Sequence, residues 1–91
     1  TYLKDNKIGV AVKDNSQVSM SKMTFLNNNS QIDAYRKNLQ YGSGGKAKVA
    51  KSTFKSSLNQ FLSIDSEIII KDSIFSGKIN SKGKNIFINE R

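Results

Sequence analysis

Short apolar alternations recur along this chain at fixed distances from an aromatic residue. Phe25, Phe54 and Phe75 head similar phrases: Thr24-Phe-Leu-Asn-Asn28, Thr53-Phe-Lys-Ser-Ser57 and Ile74-Phe-Ser-Gly77. Thr1-Tyr-Leu-Lys-Asp-Asn6 reads as an earlier copy, with Tyr2 in the aromatic place. The aromatics are then separated by 23, 29 and 21 residues. Seven positions before the aromatic stand Val18, Ala47 and Ile68, and five before it Met20, Val49 and Ile70. A further alternation follows each phrase: Ile8-Gly-Val-Ala-Val12, Ile32-Asp-Ala-Tyr35 and Leu62-Ser-Ile64.

Alternation of period two predicts strands, and no window carries a helical stripe. Self-similarity at a period of about 22 residues predicts stacked repeats, each holding two or three short strands. The expected fold is all-β: a right-handed parallel β-helix solenoid of about three to four coils, a fragment of a longer solenoid. The coils would lie roughly 4.8 Å apart. Phe25, Phe54 and Phe75 would form one internal stack, Met20, Val49 and Ile70 a second, and Val18, Ala47 and Ile68 a third. The Asn27-Asn-Asn29 run at a corner predicts an amide ladder. A small antiparallel sandwich would explain the alternation but not the fixed offsets.

The interval of 29 marks an insertion, placed at residues 36–45. Gly42-Ser-Gly-Gly45 is expected to supply positive φ angles for a protruding turn. Loops inserted into a solenoid often form its binding face. This one carries Tyr35, Arg36, Lys37, Asn38 and Tyr41, the candidate ligand-binding residues. Rings cover sugar faces, guanidinium forks carboxylates, and amides bond hydroxyls. The plainer alternative is that both tyrosines pack on the coil and Arg36 pairs with a carboxylate.

Composition narrows the chemistry. The chain has 91 residues, read as a single β-helix segment over 1–91. It has no cysteine and no histidine, which removes disulfides, thiolate and imidazole metal sites, and imidazole acid–base catalysis. The net charge of +8 favours polyanions such as an acidic polysaccharide or cell-wall polymer. Nucleic acid is not expected, since no RRM, KH or zinc motif is present. Gly44-Gly-Lys46 is followed by Ala47, so it is no phosphate loop. No apolar run approaches the roughly 18 residues of a membrane span.

Ile8-Gly-Val-Ala-Val-Lys-Asp14, the Thr-Phe-Leu-Asn-Asn corner, Ala34-Tyr-Arg-Lys-Asn38 and Tyr41-Gly-Ser-Gly-Gly45 together resemble the parallel β-helix domains of bacterial surface and secreted proteins. These belong to the pectate-lyase-like superfamily, and some stand beside CotH-like or lamin-tail-like modules. The resemblance covers roughly residues 1–79. It implies an extracellular or cell-surface location and further coils or domains of a parent chain as partners. Superfamily lyases imply a carboxylate cluster holding calcium, for which Asp14, Asp33 and Asp65 are the weak candidates, with Arg36 or Lys13 as base. The expected function is a noncatalytic scaffold or glycan-binding segment, with no catalytic residues and no cofactor. The alternatives are a fragment of a polysaccharide lyase acting on acidic glycans, with calcium, and an adhesin or assembly module.

Overall fold

The computed structural model describes residues 2–35 and 44–89. All regular structure among them is strand. In chain order these are β1 (Tyr2–Lys4), β2 (Ile8–Lys13), β3 (Gln17–Ser21), β4 (Thr24–Leu26) and β5 (Ser30–Tyr35). Then come β6 (Lys46–Ala50), β7 (Thr53–Ser63), β8 (Glu67–Lys71), β9 (Ile74–Gly83) and β10 (Ile86–Ile88). Every pairing is parallel. One sheet runs β1-β4-β7-β5-β2, with β9 also on β7, and the other runs β10-β8-β6-β3. β7 and β9 each span two stations, so the six-stranded sheet bends and nearly closes, barrel-like, around the core.

The register joins residues one repeat apart. Val18 pairs with Ala47, Ala47 with Ile68, and Ile68 with Ile86. Met20, Val49, Ile70 and Ile88 form the parallel column. Phe25, Phe54 and Phe75 stack with centroids 4.6 and 4.8 Å apart and rings within 12° of parallel. Phe61 meets Phe54 edge-on at 5.5 Å.

Two phases differ from the sequence reading. Leu3, not Tyr2, lies on Phe25, and Tyr2 is 69% exposed. Leucine fills the inner slot of that repeat, and the tyrosine is left on the outer face. In the third alternation Phe61 and Ser63 point inward, while Ile64 is 50% exposed. Phe61 pairs with Ile32, and this register puts the larger side chain inside.

The corners are closed by left-handed residues and by polar side chains that bridge repeats. Lys22, Lys51, Asp72 and Asn89 each follow a strand of the four-stranded sheet, with φ of 56°, 52°, 51° and 51°. Beside them the Met23 N–H donates to Ser52 Oγ at 3.0 Å, and the Ser52 N–H to Ser73 Oγ at 3.2 Å. The Ser73 N–H donates to Asn89 Oδ1 at 3.1 Å. The Ser52 and Ser73 hydroxyls donate to the Ala50 and Lys71 carbonyls.

A buried amide chain does form, through different residues from those expected. Of the asparagine run only Asn28 is buried. It donates to the Leu3 carbonyl and to Gln31 Oε1, and accepts from the Asn6 N–H. Gln31 Nε2 donates to Asn59 Oδ1 at 2.7 Å and to Ser56 Oγ at 3.1 Å. Asn59 Nδ2 ends the chain on the carbonyls of Ser76 and Lys78. Every buried amide is thereby satisfied, as a dry interior requires.

Phe54 is fully buried between two stacked rings. Phe54→Ala is expected to cost roughly 3–5 kcal/mol in chemical denaturation; a loss near zero would refute the stacked register. Ser63 Oγ is buried without a partner, and the next residue in its column is Ala34. Ser63→Ala should therefore raise stability by about 1 kcal/mol, read as a higher denaturation midpoint at unchanged slope.

Candidate functional site

Tyr35 closes β5 on the outer face, half-buried and in register with Lys13. The turn beyond is tied back by the Asp14 N–H, which donates to the Tyr35 carbonyl at 3.2 Å. Arg36, Lys37, Asn38 and Tyr41 lie outside the described residues. Residues 36–45 connect β5 to β6, against 14–16 and 64–66 at the equivalent corners.

Gly44 and Gly45 bring the loop back for a steric reason. Neither has left-handed φ, contrary to the expectation from sequence. A Cβ on Gly45 would lie 2.2 Å from the Val12 carbonyl oxygen, and one on Gly44 2.0 Å from Ser66 Oγ. The Gly45 N–H donates to Ser66 Oγ at 3.1 Å, so the returning chain is clamped against the next repeat.

The carboxylate candidates do not converge. Asp14 and Asp65 sit in turns at the same corner, with φ of 47° and 48°. Asp65 is thus a turn residue and not an outward strand position. Asp33 faces out from β5 and accepts from the Ser30 hydroxyl. Among the described residues no group of three or more acidic, His or Cys side chains could hold a metal ion. Calcium needs several oxygen ligands at once, and the described residues alone supply no such group at these positions.

The lysines are less scattered than they look in the sequence. On the outer face of the four-stranded sheet Lys46 and Glu67 are neighbours and pair at 3.1 Å. Lys48 and Lys71 form no ion pair among the described residues. They flank a shallow groove of about 350 Å³ whose floor includes Ala50 and Ile69 and whose lining has no carboxylate. Sequence reasoning missed this groove because Lys48 and Lys71 come to line it together only through the parallel register. The outward phase of both strands was the available signal.

Comparison with family models, with curated proteins and with solved structures found no match. No described helix is long and apolar enough to cross a membrane.

With no converging carboxylates, millimolar calcium should leave the thermal midpoint where EDTA leaves it. A ligand that binds the folded state raises the midpoint by mass action, so a calcium-dependent rise would reveal a site.

Proposed function

We propose that the chain is a section of right-handed parallel β-helix, three coils and part of a fourth. It serves as a noncatalytic, glycan-binding scaffold within a larger extracellular or surface protein of bacterial type. The observation that carries this reading is the repeating parallel register, in which β3, β6, β8 and β10 pair in succession while β4, β7 and β9 do the same. A strand–crossover–strand connection of this kind is right-handed in about 98% of cases. The resemblance of Ile8–Asp14 and of the Thr-Phe-Leu-Asn-Asn corner to surface β-helix domains of the pectate-lyase-like superfamily supports the setting.

The partner is an acidic polysaccharide or cell-wall polymer, attracted by the +8 charge and held along Lys48 and Lys71. Two features favour a holding role over polymer cleavage: the chain has no imidazole, and among the described residues no three carboxylates gather in one group. Superfamily members host many activities on one scaffold, so the site and not the fold decides.

Polygalacturonate titrated into the chain at low and high salt, with and without calcium, tests the proposal. Binding is expected to weaken more for Lys48→Gln with Lys71→Gln than for the equally charged control, Lys7→Gln with Lys84→Gln. No reducing ends should accumulate. Equal weakening in both pairs would leave only a diffuse field. Release of reducing ends would replace the scaffold with a lyase or hydrolase.

A further inference from the structure

We propose that the corner groove between the turn after β4 and the bulge of β7 is a binding site for a neutral, hydroxyl-rich sugar, separate from the lysine face. This inference rests on the glycan-binding half of the function proposed above, and it differs in the chemistry of the ligand.

The groove has a volume of about 420 Å³, within the range of small-ligand pockets. In a chain with 24% charged residues, its lining contains no ionisable group. Asn27, Asn29, Ser57 and Gln60 line it. None of the four bonds another described residue through its side chain. They offer amide N–H donors, amide oxygens and a hydroxyl, which complement the vicinal hydroxyls of a sugar. Leu58, 42% exposed, adds an apolar surface for one face of a pyranose ring.

The groove is also built. β7 carries a register shift between Lys55 and Leu58, where Ser56 and Ser57 bulge against β9. Bulges re-aim side chains and are enriched beside binding sites. Gly77 accommodates the bulge at φ +94°, where a Cβ would lie 1.8 Å from the Ser56 carbonyl oxygen. Asn27 is held left-handed at φ 54°, and its N–H donates to Ser56 Oγ at 2.9 Å. Directly behind the opening, Asn28 and Ser56 belong to the buried amide chain through Gln31. The free side chains therefore project from backbone fixed on both sides, which limits the ordering cost of binding.

The charge pattern separates this site from the acidic-polymer face. An uncharged groove gains nothing from counterion release, so its affinity is insensitive to salt. Binding along Lys48 and Lys71 falls as salt rises.

The test is a backbone-amide NMR titration with cellohexaose, xylohexaose and mannohexaose, with trigalacturonate as the charged comparison. Perturbation by at least one neutral hexaose is expected at residues 27–29 and 56–60, unchanged by high salt. Ser57→Ala with Gln60→Ala should weaken it about tenfold, the combined effect of two hydrogen bonds. The thermal midpoint of that variant should match the parent, since neither side chain bonds the fold. Four results would overturn the proposal: no neutral hexaose perturbs the spectrum, the perturbations lie elsewhere, the double variant binds unchanged, or it melts early. Loss of the scaffold reading would instead appear as polymer cleavage or as a harmless Phe54→Ala, readouts independent of this titration.

Discussion

Parallel pairing places each inward side chain on its own counterpart one repeat away, and the rest of the structure follows from that constraint. A position inside the molecule is therefore a column shared by several residues. Phe25, Phe54 and Phe75 satisfy the constraint with stacked rings, and the Val18 and Met20 columns satisfy it with aliphatic groups. Stacked rings at strand spacing gain dispersion along the column as well as burial. Polar groups obey the same rule. Ser52 and Ser73 occupy one station and pass hydrogen bonds from repeat to repeat. Asn28, Gln31 and Asn59 carry a second polar thread.

The fixed offsets made three of these columns legible before any coordinates. Val18, Ala47 and Ile68 differ in size, yet their distance from the phenylalanine was enough. The first repeat misleads because Tyr2 is aromatic and Leu3 is not, while in the later repeats the aromatic residue marks the inward phase. In the alternation after Phe54, Phe61-Leu-Ser-Ile64 offers apolar residues in both phases. Only pairing with Ile32 decides between them. The amide chain could not be read from the run of asparagines, because its members are joined across repeats and two of the three lie outside the run. Ser52 and Ser73, each two residues before a phenylalanine, were readable in principle. Serine at a corner resembles an ordinary turn residue until its hydroxyl is seen reaching the next repeat.

The chemistry of the outer surface follows from the outward phase. One repeat places Lys46 against Glu67 and neutralises it. The neighbouring column leaves Lys48 beside Ile69, and the next leaves Lys71 beside Ala50. Across one corner the lining changes from charged to wholly neutral at Asn27 and Ser57. A rigid parallel frame can hold such different chemistries a few strands apart, because no side chain on the outer face is needed to close the core. The bulge in β7 is the one register shift among the described strand pairings, and it borders the neutral groove.

The connection between β5 and β6 has a consequence for how such a chain can change. The strands on either side keep the same pairing partners as those joined by the short turns at residues 14–16 and 64–66. Loop length at that corner is therefore decoupled from the frame. Gly44 and Gly45, pressed against Ser66 and Val12, act as a clasp where the chain rejoins the frame. The same register thus accommodates a ten-residue connection at 36–45 and three-residue turns at 14–16 and 64–66. In evolutionary terms that corner is a docking port for new sequence.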